Sequence, residues 1–203
     1  MQSFTRTRIT TALGLVLTVS SFIVAADSPE PRFTRTEVEV TVPDVTLIDQ
    51  DGREVELADL VHSDTPVAVD FIFATCTTIC PILSAGYASL QRRLGDRPDA
   101  VRLISVTIDP EHDGPEELTA YLARYGAKPG WDFLTGSRND IDKVMRGFDA
   151  FVADKMSHRP LVFIRSPGTG TWVQLRGFAG SKDLMNEVNL AAGQPLLEER
   201  EEE

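Results

Sequence analysis

Apolar residues along this chain follow three spacings, and each predicts a different kind of element. Val67 to Phe73 and Val101 to Ile108 are short, nearly continuous apolar runs, as expected of strands buried on both faces of a sheet. Between them Leu83, Tyr87, Leu90 and Leu94 recur at three- and four-residue spacing, which predicts a helix over Cys80 to Leu94 with Pro81 in its first turn. Further helices are predicted over Pro115 to Tyr125, closed by Gly126, over Asp140 to Phe148, and from Ser181 as cap to about Ala192. Alternation marks the rest. Val38, Val40 and Val42 alternate with polar residues as in an extended stretch. Val45 to Ile48 and Glu54 to Leu57 flank the turn Asp49-Gln-Asp-Gly52 as a hairpin. Trp131 to Leu134 is a short strand. Leu161 to Ile164 and Thr171 to Leu175 form a second hairpin around Ser166-Pro-Gly-Thr-Gly170. Strand, helix, strand, helix, hairpin, helix is an α/β pattern: a central mixed sheet with parallel crossovers and an antiparallel edge, flanked by helices and preceded by a β-hairpin.

The two ends are expected to lie outside this unit. Arg6 and Arg8 precede a largely apolar stretch, Ile9 to Val24, and Ala25-Ala26 follows. Residues 1–26 read as an export leader cleaved before Asp27. Thr10, Thr11, Gly14, Thr18, Ser20 and Ser21 interrupt the run, which suits a leader better than a permanent span, although an uncleaved anchor is the alternative. Residues 27–42 follow as a linker with an N-terminal strand, 43–193 as one domain, and 194–203 as an acidic, disordered tail. Losing Arg6 and Arg8, with no acid beside them, takes the net charge from −11 to −13. Such a chain repels phosphate backbones and anionic lipid, so no nucleic-acid partner is expected and membrane contact is transient or through the uncleaved anchor.

Chemistry concentrates where the first buried strand meets the first long helix. Cys76 and Cys80 are the only cysteines, and export would place them in an oxidising compartment, periplasmic or beyond. A structural disulfide is the plainest reading, but so short a loop gains little from closure. Cys80, directly before Pro81, falls near the helix N-terminus, where free N–H groups and the positive dipole end favour a thiolate. The pair can therefore exchange disulfides, ligate a soft metal, or both.

Three histidines could add a ligand. His62 lies in a loop before the core strand, and His112 sits in the acidic loop Asp109-Pro-Glu-His-Asp113; both suit solvated positions. His158 immediately precedes the strand at Leu161, whose leading loop can approach the helix N-terminus. Structural and ligating roles for it stand level on the residues alone. Two thiolates and one imidazole would suit copper in either oxidation state, whereas zinc would want a fourth ligand.

Asp70-Phe-Ile-Phe-Ala-Thr-Cys76-Thr-Thr-Ile-Cys80-Pro81, Ser105-Val-Thr-Ile-Asp109-Pro-Glu-His-Asp113, Trp131-Asp-Phe-Leu-Thr-Gly-Ser137 and the His158 before a strand resemble, in that order, the Sco/SenC family. The resemblance covers about residues 43 to 193. It implies a thioredoxin-like fold carrying copper on Cys76, Cys80 and His158, with Asp109 in a supporting position. It also implies delivery of copper to cytochrome c oxidase, or preparation of the thiols of that enzyme's copper subunit, with another copper protein as the wider partner class. Three features depart from the pattern, one being Ser166-Pro-Gly-Thr-Gly170 where a short acidic turn is expected between His158 and Trp172. Family members are often membrane-tethered, whereas this chain reads as soluble after cleavage. Pro160, close behind His158, is similar to the cis-proline facing the sulfurs of thioredoxin-like oxidoreductases.

That proline keeps a second reading in view, a thiol–disulfide oxidoreductase acting on exported cysteine-containing proteins with a thiol reductant as partner. In it Cys76 and Cys80 would be the catalytic redox pair. The insert Thr77-Thr-Ile79 is one residue longer than the usual redox motif and lacks its Gly-Pro. A peroxide-reducing reading is weaker, because Phe73 stands where the proline of that motif belongs.

Overall fold

A computed structural model describes residues 32–196, so the leader (1–26), the start of the linker and the acidic run at the end lie outside the described residues. Six strands form one sheet in the order β1-β8-β7-β4-β5-β6. They are β1 (Phe33–Val38), β4 (Val67–Ile72), β5 (Arg102–Thr107), β6 (Trp131–Leu134), β7 (Leu161–Arg165) and β8 (Trp172–Gly177). A separate antiparallel pair, β2 (Thr46–Ile48) and β3 (Glu54–Glu56), forms the predicted hairpin. The helices are α1 (Leu57–Val61), α2 (Cys80–Leu94), α3 (Pro115–Tyr125), α4 (Arg138–Gly147) and α5 (Ser181–Ala192).

β4, β5 and β6 run parallel, while β7 is antiparallel to β4 and β8 to β7. This is a thioredoxin-like mixed sheet, and its topology creates the site. The parallel strands β4 and β5 end on the same edge, and the antiparallel β7 begins there, with Asp70 facing Val162. The loops after β4 and β5 and the loop before β7 therefore meet.

Every residue of β4 is buried, and successive side chains take opposite faces. On one face Phe71, Phe163, Phe148 and Trp172 stack edge to face, with ring centroids 5.2–6.0 Å apart. The other face lies under α2. There Tyr87 meets Trp131 at 5.5 Å, and the Trp131 indole N–H donates to Ser105 Oγ at 3.0 Å.

Several boundaries differ from expectation. β1 starts at Phe33 and ends at Val38, because it pairs with β8 along its whole length; Val40 and Val42 continue past it, half-buried against the core. α1 is unforeseen. α4 begins two residues early at Arg138, its N-terminus capped by Ser137 Oγ, which accepts from the Asp140 N–H at 3.1 Å. Gly180, not Ser181, caps α5, and its N–H donates to Asp183 at 2.8 Å. Past α5, Leu196 is buried and its N–H donates to Asn189 Oδ1 at 2.7 Å.

Candidate metal centre

Cys76 lies in the loop leaving β4, its N–H bonded to the Phe73 carbonyl at 3.2 Å. Cys80 is the first residue of α2, and Ile79 is the cap residue, with no side chain able to accept from the helix N-terminus. The Cys76 sulfur takes that place: the Cys80 N–H donates to Cys76 Sγ at 3.5 Å, and the Thr78 hydroxyl lies 3.7 Å from the same sulfur.

This geometry reverses the expected roles of the thiols. Burial tends to raise the Cys76 pKa, but hydrogen bonds from the Cys80 and Thr78 backbones, Cys80 and the Thr78 side chain outweigh it and hold the thiol below its ordinary value. Cys80 is fully buried, and burial pushes its thiol far up, with the neighbouring Cys76 and the Asp70 charge adding to the effect. The positive end of the helix thus serves the sulfur outside it. Cys76, not Cys80, is the ready thiolate.

His158 closes the set. Its Nε2 stands 3.4 Å from Cys80 Sγ, across 78 residues of chain. Its Nδ1 is 2.7 Å from the Lys155 carbonyl, an acceptor only, so Nδ1 carries the proton and Nε2 presents its lone pair to the sulfurs. Burial lowers its pKa, against the opposing pull of the Lys155 carbonyl, and so favours the neutral ring a metal requires. Phe73 packs edge-on against the imidazole, centroids 5.3 Å apart. One donor atom from each of Cys76, Cys80 and His158 falls within 4.8 Å of the other two, and all three residues are buried.

The other histidines stay apart. His62 is exposed at the end of α1. His112 is mostly exposed and pairs with Asp109 at 2.9 Å. The peptide bond before Pro160 is trans, and the Pro160 carbonyl accepts from the Gly177 N–H at 2.9 Å.

The SCO1/SenC family profile matches residues 34–176. The chain belongs to the SCO1/SenC family. A SCO1 protein homolog of Bacillus subtilis (strain 168) is 36% identical over 130 residues, which are 60% of this chain and 66% of that protein. Against two other curated relatives the chain spans about half of their length, 52% and 50%. Among solved structures, BsSco, described as a Sco-family cytochrome c oxidase assembly protein with a disulfide switch, is 31% identical with a TM-score of 0.63. The match covers 76% of this chain and 95% of BsSco. ScoI of Bradyrhizobium japonicum, solved with copper bound, is 22% identical with a TM-score of 0.62, covering 74% of this chain and 98% of ScoI. At that identity the likeness is one of fold.

Sequence reasoning overlooked three residues around the Sco-type site. Phe73 packs on the His158 ring, Asp113 accepts from the Ala74 N–H at 3.0 Å at the start of the cysteine loop, and the Lys155 carbonyl accepts from His158 Nδ1. Phe73 and Asp113 lay inside recognised blocks. For Lys155 no sequence signal existed beyond its place three residues before His158.

Proposed function

We propose that this chain is an exported copper-binding metallochaperone. In this reading copper is cargo, held by Cys76 Sγ, Cys80 Sγ and His158 Nε2, and passed to the copper subunit of cytochrome c oxidase or to another copper protein. The observation that carries the reading is the convergence of two sulfurs and one neutral imidazole lone pair. Thiolates suit copper(I), and the imidazole extends the set to copper(II). Membership of a family that includes cytochrome c oxidase assembly proteins, and a copper-bound protein of the same fold, support it. Two exposed apolar side chains flank the donors: Ile82, 50% exposed, two residues after Cys80, and Met156, 66% exposed, two residues before His158. They offer an apolar surround for a partner approaching the metal. The leader at 1–26 would place the domain in the periplasm, and among the described residues no helix is long and apolar enough to cross a membrane.

Copper titration of the reduced and oxidised protein tests the reading. The reduced form should bind about one copper per chain, with thiolate-to-copper(II) charge-transfer bands, and the disulfide form should not. His158→Ala should weaken copper(II) binding by at least about tenfold. Unchanged affinity in that variant would remove His158 from the ligand set.

The activated Cys76 favours one alternative, a thiol–disulfide reductase. Cys76 thiolate would attack a target disulfide and release one target thiolate. Cys80 would then displace the second, leaving a Cys76–Cys80 disulfide and a reduced target. Turnover of a disulfide substrate by a donor-reduced pair, undiminished in His158→Ala, would favour that activity over chaperoning.

A further inference from the structure

The loop between β5 and α3 supplies no donor to the metal centre, yet it grips both halves of it. Asp113 Oδ2 accepts from the Ala74 N–H at 3.0 Å and from the Thr107 hydroxyl at 2.6 Å, fixing the start of the cysteine loop. Asp109, buried in the same loop, pairs through one oxygen with His112 at 2.9 Å and through the other with the Lys155 ammonium. Lys155 lies in the 3-10 turn Lys155–Ser157, whose next residue is His158. Its carbonyl accepts from both His158 Nδ1, at 2.7 Å, and the His158 backbone N–H, at 3.3 Å. Its ammonium stands 5.3 Å from the centroid of Phe73, the ring packed against His158.

This turn has no apolar anchor of its own. None of its three residues is buried, and Met156 is 66% exposed. Polar ties do the holding: Asp154 Oδ1 accepts from the Met156 N–H at 2.9 Å within the turn, and the Lys155–Asp109 pair joins the turn to the neighbouring loop. The ammonium stabilises this buried carboxylate, while the lysine side chain itself is about a third exposed, so the pair is partly solvated.

We infer that Lys155 is a positioning residue, and that its pairing with Asp109 is a latch holding the His158 imidazole over Cys76 and Cys80. The inference rests on the copper reading above. With the latch closed the centre offers three donors. With it open the turn swings away, the imidazole leaves, and copper(I) remains on two thiolates, where incoming ligands of a copper-accepting protein can replace them. No electron moves in this step: the His158 nitrogen leaves first, and the two thiolates are then exchanged for the partner's ligands.

The test compares Lys155→Met, Lys155→Arg and the double variant Lys155→Met with Asp109→Asn, using copper ions alone. Lys155→Met should lose about 10- to 100-fold in copper(II) affinity, as is usual when the support of a ligand histidine is removed. The nitrogen coupling in its copper(II) electron paramagnetic resonance spectrum should weaken, and copper(I) affinity should fall much less. Lys155→Arg should restore both. Without metal, the His158 ring nitrogens should report one Nδ1–H tautomer in the parent and a mixture in Lys155→Met. If Lys155→Met unfolds because Asp109 has lost its ammonium partner, the double variant removes that charge and should show the same losses. Copper(II) affinity within about twofold of the parent, with unchanged nitrogen coupling, in whichever of the two folds overturns the latch. A parent protein that binds no copper, or whose His158→Ala variant binds it equally, gives a different pattern and removes the copper reading and the latch together.

Discussion

Two cysteines four positions apart end up with opposite acidities because one N–H at the start of a helix has one sulfur to point at. The Cys80 N–H donates to Cys76 Sγ, while the Cys80 sulfur is fully buried at the head of α2. In a Cys80→Ser protein, Cys76 should therefore react with iodoacetamide along a pH profile whose midpoint lies below the ordinary thiol value of about 8.5. In Cys76→Ser, burial still opposes the Cys80 thiolate, so its rate at pH 7 should be at least about tenfold lower and still rising above pH 9. Equal rates at pH 7 would show that the helix N-terminus serves both sulfurs. The strand-to-helix junction was legible from Val67–Phe73 and the 83, 87, 90, 94 spacing. Which sulfur receives the N–H was not, since it depends on the path of Thr77–Ile79, for which the sequence carries no periodic signal.

At the scale of elements, segments whose apolar pattern runs into a clear stop were read well, and those without such a pattern were not. α2, α3 and β6 have the predicted limits because each joins a clear apolar spacing to a stop: Gly126, for example, ends α3 in the left-handed conformation at φ 61°. α1 spans five residues, too few for helical periodicity to separate from the end of a strand. The segment after β1 shows a tertiary override. Instead of extending the strand through Val40 and Val42, the chain docks on the last turn of α4, where the Thr41 N–H donates to the Gly147 carbonyl at 3.0 Å. The approach is so close that a Cβ on Gly147 would stand 2.1 Å from the Thr41 carbonyl oxygen. Gly147→Ala should accordingly cost about 1–3 kcal/mol in urea unfolding by overpacking, despite the better helix propensity of alanine. A variant as stable as the parent would mean that the segment is free to lift away.

At the scale of the whole molecule, His158 was the part of the site that local sequence could not settle. Antiparallel pairing of β7 with β4 brings it to the sulfurs; the element order allowed that approach, and only the resemblance carried by the four motif blocks implied a ligating role. The same sheet carries a charge cost that no motif revealed. Asp70, in the middle of β4, is fully buried, and neither carboxyl oxygen makes a hydrogen bond of ordinary geometry. Nearby, the Tyr87 hydroxyl is also without a partner among the described residues. Burial raises the Asp70 pKa to about 7, with Ser105, its register partner on β5, moderating the shift. In the unfolded chain an aspartate titrates near 3.9. Between these values the folded protein keeps a proton that the unfolded chain has lost, so stability falls as pH rises through the window and levels off above about pH 7. The slope from this group alone approaches about 1.4 kcal/mol per pH unit. Asp70→Asn preserves the shape and removes the titration. Urea unfolding of parent and variant at pH 5, 6, 7 and 8 should show the variant gaining relative stability from pH 5 to 7 and little thereafter. A stability difference constant across that range would mean that Asp70 is ionised throughout and has found a partner, such as a buried water bridging it to Tyr87.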